Sequence, residues 1–207
     1  DPRVPNFHAE KALKGWHNVV EATHQTPAKI GPQLWHVGMM RQPGTGPDPE
    51  ATSDSPSGRT HTGSQVQPEP TESEVADMVM AYANAAGDAA RLGFDCVEIH
   101  GAHGYLIDEF FWGVMNTRAD QYGGSLVERA RFAGEVIAEC RAQVGADMPI
   151  ILRWSQWKQQ DFSARLAETP AELEAFLKVF VDAGVDVLHA SQRRWWEAEY
   201  PEVDGEH

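Results

Sequence analysis

Residues 93–111 read Gly93-Phe94-Asp95-Cys96-Val97-Glu98-Ile99-His100-Gly101-Ala102-His103-Gly104-Tyr105-Leu106-Ile107-Asp108-Glu109-Phe110-Phe111, and this stretch decides the fold class. Its apolar run from Cys96 to His100 predicts a short buried strand. Three polar side chains stand at the end of that run, namely His100, His103 and Tyr105. In parallel α/β folds, ligands bind at the carboxyl ends of the strands. The stretch therefore predicts a candidate active site at a strand end.

Helices and further strands are predicted on both sides of this stretch. Helices are predicted over residues 7–23, 71–91, 125–144 and 169–183, and strands over 29–35, 149–154 and 185–189. Three helices begin with a T/S-x-x-E capping box, at Thr71, Ser125 and Thr169. Residues 38–70 are rich in Gly, Pro, Ser and Thr, which predicts a loop insertion, and long loops are usually functional.

The alternation of helices with short apolar strands is typical of an α/β fold with a parallel sheet. An open Rossmann sheet and a TIM barrel both fit, but no G-x-G-x-x-G follows any predicted strand, which weakens the Rossmann alternative. Each predicted strand ends in polar residues: Gln33 and His36; His100 and His103; Arg153; His189, Ser191 and Gln192. Polar side chains from several strand ends meet at one rim of a TIM barrel, so the sequence favours the barrel.

Three segments resemble the Old Yellow Enzyme family of flavin oxidoreductases. Residues 100–106 are similar to the family's substrate-binding motif His-x-x-His/Asn-x-Tyr, residues 116–129 to its N-x-R-x-D-x-Y-G-G-S signature, and residues 33–38 to its Q-L-x-H-x-G strand. The resemblance covers most of the chain and is weakest over 38–70. It implies a (β/α)8 barrel with FMN at its carboxyl-terminal rim and NADH or NADPH as the reductant.

The resemblance implies roles for five side chains. His100 and His103 would hydrogen-bond the carbonyl or nitro oxygen of the substrate, so that its β-carbon accepts hydride from the reduced flavin. Tyr105 would donate a proton to the α-carbon. Gln33, His100 and Arg153 would bind the cofactor, with Gln33 and Arg153 at the pyrimidine ring of the flavin. The implied activity is that of an ene-reductase acting on enones and other electron-poor alkenes or nitro compounds.

Other roles compete with those that the resemblance implies. His100 and His103 also suit a zinc site or a metal-dependent hydrolase, although no further ligand pair has suitable spacing. Packing is the expected role of Trp35 and His36. A salt-bridge network is expected of four residues: Arg118, Asp120, Arg129 and Arg131. Six residues stay undecided between a site and packing: Trp154, Trp157, His189, Ser191, Trp195 and Trp196.

Composition limits the class of protein. The chain has 207 residues, 42% of them hydrophobic, enough for one globular domain with a substantial core. Its formal net charge of −14 argues against a nucleic-acid partner. The sequence shows neither an apolar run of membrane-spanning length nor a signal-peptide pattern, so a cytoplasmic protein without a membrane partner is expected. Cys96 and Cys140 match no redox or metal motif, and two buried reduced thiols are expected.

The number of predicted strands falls short of a complete barrel. A (β/α)8 barrel has eight strands and about 250 residues, whereas four strands are predicted here, matching the family's third to sixth. We therefore expect residues 1–207 to form an incomplete TIM barrel of about four βα units, an internal fragment of a longer enzyme. Its open edges favour a homo-oligomer. The alternatives are a truncated, non-catalytic half-barrel or part of a larger iron–sulfur flavoenzyme of the same family, of the dienoyl-CoA reductase or amine dehydrogenase type.

Overall fold

The computed structural model describes residues 4–41, 44 and 48–204 of the chain. A parallel four-stranded sheet lies at its centre, with strands β1 (Gln33–Leu34), β2 (Val97–His103), β3 (Ile150–Lys158) and β4 (Val187–Ala190). The α-helices within the described residues are α1 (Glu10–His24), α2 (Glu72–Leu92), α3 (Leu106–Phe111), α4 (Leu126–Arg129), α5 (Arg131–Val144), α6 (Pro170–Asp182) and α7 (Pro201–Asp204). The strands pair in chain order. This order is that of a barrel wall, since a Rossmann sheet reverses its strand order at a switch point.

The two faces of the sheet differ in burial. Strand pairing places one set of side chains on a buried face: Leu34, Val97, Ile99, Ile150, Leu152 and Leu188. They pack in the same apolar cluster as residues of α2, α5 and α6. The other face carries Gln33, Glu98, His100, Ile151, Arg153, Val187 and His189. Val187 on that face is 46% exposed. Parallel sheets normally have both faces covered, so this face has the character of the inner wall of a barrel segment.

The predicted capping boxes are confirmed at two helices and half-formed at the third. At α2 and at α4, the Thr71 and Ser125 hydroxyls accept from the amides of Glu74 and Glu128, whose carboxylates accept from the amides of the capping residues. Thr169 likewise accepts from the Glu172 amide at α6. The Glu172 carboxylate, however, accepts from the amide of Glu168, 2.8 Å away. The reciprocal bond of a capping box is therefore displaced by one residue at α6.

Two elements differ from the sequence prediction for identifiable reasons. Helix α3 lies where a loop was predicted, and all six of its residues are buried, Asp108 and Glu109 included. It shows no alternation of polar and apolar faces, which is the pattern that reveals a helix in a sequence. Strand β1 spans two residues rather than the predicted 29–35. Pro32 has no N–H to donate, although the carbonyls of Ile30 and Pro32 still accept from the amides of Asp95 and Glu98.

Smaller corrections concern the helix over 125–144 and the loop over 38–70. The predicted single helix is two segments, α4 and α5, meeting at Ala130, whose backbone stays right-handed. The loop holds a short 3-10 turn, Gly38–Met40, and one isolated bridge between Arg59 and Gln65 in its described part. Residues 42, 43 and 45–47 of this prediction lie outside the described residues.

The predicted salt-bridge network does not form as one unit. Arg118 pairs with Asp120, and the Arg118 guanidinium also donates to the carbonyls of Pro56 and Pro70, which ties the long loop to the segment after α3. Arg129 instead donates to the Phe111 carbonyl. Arg131 lies 3.5 Å from a carboxylate on its own helix.

Both cysteines are free thiols, but only Cys140 is buried, so the expected burial of Cys96 is wrong. Burial raises the pKa of Cys140 to about 12, and this thiol therefore stays protonated at neutral pH. In the described part of the chain, no helix combines the length and the hydropathy needed to cross a bilayer.

Candidate active site

The three residues of the candidate site meet at the carboxyl end of β2. The ring of His100 lies 5.2 Å from that of His103 and 5.4 Å from that of Tyr105, centroid to centroid. Both histidines are buried, whereas Tyr105 is partly exposed. Trp35 packs edge-on against Tyr105, with ring centroids 5.0 Å apart. The three side chains that the sequence predicts at the end of this strand therefore lie close together.

His103 lies in a left-handed turn that the end of β3 holds in place. Its φ is +65°, a conformation that costs a non-glycine residue about 1–2 kcal/mol. The His103 amide donates to Ser155 Oγ at 3.0 Å, and its carbonyl accepts from the Gln159 amide. The Gly104 carbonyl accepts from Gln160 Nε2 at 2.9 Å. These bonds from residues 155–160 offset the strain and fix the direction in which the His103 ring points.

A buried ion pair completes this support. Lys158 Nζ donates to Asp108 Oδ1 at 2.8 Å and to the carbonyls of Ser155 and Gln156, and both charged side chains are 0% exposed. The other Asp108 oxygen accepts from the Gly104 amide at 2.7 Å. Burial raises the pKa of Asp108 and lowers that of Lys158, while each partner opposes the shift of the other. The pair therefore joins α3, the end of β3 and the turn after His103.

Burial also keeps the two histidines neutral. Desolvation, the other histidine and the nearby Arg153 lower the pKa of His100 to about 4. Desolvation, Arg153 and Lys158 lower that of His103 to about 4 as well. At neutral pH each ring therefore carries one N–H donor and one lone pair.

His100 has hydrogen-bonding capacity that the protein does not use. Both of its ring nitrogens are buried and have no partner among the described residues. His103 Nε2 lies 2.7 Å from Ser191 Oγ, and Arg153 approaches the same hydroxyl at 3.5 Å. The Ser191 hydroxyl thus marks a point where a histidine and an arginine converge on one oxygen. Buried polar groups without partners are rare in native proteins, so both ring nitrogens of His100 are open to a bound molecule.

The other two predicted residues lie on the open face of the sheet beside the histidines. Arg153 pairs in register with His100, and its buried Nε has no partner in the described part of the chain. Gln33 pairs in register with Glu98, and Gln33 Nε2 donates to Glu98 Oε1 at 2.5 Å. His189 Nδ1 lies 2.6 Å from the second Glu98 oxygen. A cation and an amide therefore flank His100 on the neighbouring strands.

The structure places the undecided residues. Ser191 and Trp157 both contact His103, because the Ser191 hydroxyl lies 2.7 Å from His103 Nε2 and the ring of Trp157 lies 4.7 Å from that of His103. Trp154 is buried, whereas Trp195 and Trp196 are 84% and 60% exposed. His189 contacts Glu98, which the sequence did not single out.

The two residues that are expected to pack make different kinds of contact. Trp35 packs on Tyr105, as predicted, whereas His36 Nε2 lies 3.1 Å from an Asp54 carboxylate and its Nδ1 accepts from the Gly38 amide. No group of three metal-ligating side chains occurs within residues 4–41, 44 and 48–204, so the zinc alternative gains no support there.

Comparison with known proteins identifies the family. The model of the NADH:flavin oxidoreductase / NADH oxidase family matches residues 2–205. The chain belongs to this family. It is 40% identical over 153 residues to the flavin oxidoreductase hxnT of Emericella nidulans, which covers 70% of the chain and 39% of that protein. The resemblance predicted from the sequence is therefore confirmed.

Solved structures of family members confirm the fold class. The structure of morphinone reductase in complex with tetrahydroNAD matches with a TM-score of 0.77 at 29% identity, covering 90% of this chain and 55% of that one. Old Yellow Enzyme from Pichia sp. AKU4542 matches with a TM-score of 0.78 at 28% identity, covering 91% and 53%. The four-stranded sheet is thus part of a TIM barrel, and the chain spans about half or less of these proteins.

The residues at the rim suit the FMN of this family. The pyrimidine end of a flavin offers carbonyl oxygens and one N–H. Arg153 has a donor without a partner, and Gln33 keeps one amide oxygen free of its bond to Glu98. A cation near that ring favours the anionic reduced cofactor. The hydrogen-bonding atoms of Arg153 and Gln33 therefore fit the pyrimidine ring of FMN.

Proposed function

We propose that the protein containing this chain is an FMN-dependent ene-reductase that uses NADH or NADPH to reduce electron-poor alkenes such as enones, or nitro compounds. The observation that carries the proposal is His100, whose two buried ring nitrogens have no partner among the described residues, beside His103 and Tyr105. FMN, when bound, supplies the hydride that it has taken from the nicotinamide. Gln33 and Arg153 would hold its pyrimidine ring.

The two histidines bind and polarise the substrate. Neutral imidazoles donate one hydrogen bond each, and both rings lie where they can share one acceptor oxygen. Negative charge develops on that oxygen when the β-carbon accepts hydride, so donors fixed beforehand stabilise the transition state more than the ground state.

Tyr105 donates the proton that completes the reduction. A phenol is neutral at pH 7 and is a donor without a prior protonation step. Its ring lies against His100 and Trp35, which fix its direction relative to the bound substrate. Protonation of the α-carbon by Tyr105 follows transfer of hydride to the β-carbon.

The open sheet face supports a second candidate, a non-catalytic half-barrel. Val187 and His189 on that face are exposed, and apolar inner-wall residues normally pack inside a closed barrel. Such a module forms a stable oligomer and binds no flavin.

Spectroscopy and kinetics on the complete gene product test the two candidates. The first predicts a yellow protein after reconstitution with FMN, and NAD(P)H oxidation that depends on an added enone. His100→Leu removes one oxygen donor and is expected to lower kcat with the enone about 100-fold. The matched control is His17→Leu, a change at a surface histidine of α1. A colourless, oligomeric protein after reconstitution refutes the first candidate and supports the second.

A further inference from the structure

Glu98 is a charged residue on the inner face of the sheet to which the proposed reaction gives no role. It lies two residues before His100 on β2, and its side chain is 19% exposed. One carboxylate oxygen accepts from Gln33 Nε2 on β1, and the other lies 2.6 Å from His189 Nδ1 on β4. Three strands thus contribute to one hydrogen-bonded chain across the open face.

We propose that Glu98 is a positioning residue that fixes the orientation of the Gln33 amide towards the flavin, an inference that rests on the proposed function. A glutamine amide has one accepting and one donating end. An ionised carboxylate only accepts, so the Gln33 NH₂ group must face Glu98. The Gln33 oxygen is then the end that is left for a ligand.

This orientation selects the atom of the cofactor that Gln33 recognises. A free amide oxygen accepts from an N–H and repels a carbonyl oxygen. The pyrimidine ring of a flavin has one N–H, at N3, between two carbonyl groups. Glu98 therefore directs Gln33 to N3–H and leaves the carbonyl oxygens to donors such as Arg153. Without Glu98, the amide can turn and present its NH₂ group to N3–H.

His189 holds Glu98 in the position that this role requires. Alternate strands of a TIM barrel place their side chains in the same interior layer. β2 and β4 are alternate strands, and His189 reaches Glu98 past β3. With one oxygen bound by His189, the Glu98 carboxylate is restrained from turning away from Gln33.

Substitution of Glu98 tests the proposal in the complete gene product loaded with ¹⁵N-labelled FMN. Glu98→Gln keeps the shape of the side chain, but its amide no longer dictates which end of Gln33 it meets. We expect the N3–H proton to exchange with water about tenfold faster than in the wild type, and FMN to dissociate about tenfold more readily, as for one lost hydrogen bond. The matched control is Glu135→Gln on α5, whose amide oxygen can still accept from the Tyr122 hydroxyl away from the sheet, and which is expected to change neither value.

A double substitution separates positioning from a general effect on the fold. If Glu98 acts through Gln33, Glu98→Gln has less than a twofold effect on FMN binding in a Gln33→Leu background, because the two changes remove the same interaction. His189→Gln provides a second, milder variant and is expected to raise N3–H exchange two- to threefold. Independent, multiplicative losses overturn the inference, as does wild-type N3–H exchange in Glu98→Gln. A wild-type protein that binds no FMN overturns the proposed function as well, so the two failures are distinguishable.

Discussion

Replacement of Lys158 by methionine is expected to destabilise the protein strongly. Methionine is similar in length, so the change removes the charge of Lys158 while leaving little cavity. Asp108, which is fully buried, then loses its counter-charge and keeps only the Gly104 amide. Breaking a buried pair in this way costs about 3–5 kcal/mol. The free energy of unfolding of a domain is only about 5–15 kcal/mol.

The loss of stability should also depend on pH. Burial raises the pKa of Asp108, and Lys158 opposes that rise. Without Lys158 the pKa of Asp108 rises further. A carboxyl with a raised folded pKa favours folding below the unfolded value of about 3.9, and this contribution is lost as the pH rises towards the folded pKa. We therefore expect Lys158→Met to cost more at pH 8 than at pH 5.

Urea unfolding at the two pH values measures this effect through the midpoint at constant m-value. The double variant Asp108→Asn/Lys158→Met carries no charge at these two positions, and the asparagine oxygen can still accept from the Gly104 amide. It should recover more than half of the lost free energy. Equal destabilisation at pH 5 and pH 8, or no recovery in the double variant, would refute the reasoning.

Three further predictions follow from the site and the helices. Tyr105→Phe should lower the rate of enone reduction about 100-fold while flavin reduction by NAD(P)H stays unchanged, measured by stopped-flow absorbance; equal loss in both half-reactions contradicts the proton-donor role. Burial lowers the pKa of His100 and His103 to about 4. Their contribution to the free energy of unfolding is therefore complete above about pH 6.5 and is lost as the pH falls to 4. A variant with both histidines changed to glutamine should lose less of its free energy of unfolding over this pH range, measured by urea titration. Thr71→Ala should cost about 1 kcal/mol, and Thr169→Ala less, since of these two threonines only Thr71 belongs to a complete capping box. Equal thermal shifts of the two variants would count against this comparison.

The sequence predicts most of the elements well, and it predicts that His100, His103 and Tyr105 lie together at a strand end, because both depend on local patterns. Capping boxes at Thr71 and Ser125 begin helices through bonds within four residues. The spacing of His100, His103 and Tyr105 at a strand end places them at one rim once the sheet is parallel. Helix α3 was missed because its charged residues are buried by distant parts of the chain. The only sequence signals for the ion pair are a lysine at the end of an apolar strand and an aspartate within an apolar run, and neither signal names its partner.

Residues 93–111 by themselves determined that a strand ends in two histidines and a tyrosine, and the motifs around them determined the family. Only the tertiary structure decided what holds and surrounds these side chains. The left-handed turn at His103 depends on residues 155–160, and the orientation of Gln33 depends on Glu98, 65 residues away along the chain. Hydrogen bonds and burial between strands depend on register and on distance in space. The local order of residue types predicts where a strand lies and where it ends. It does not give the hydrogen bonds or the burial, because these depend on residues far away along the chain.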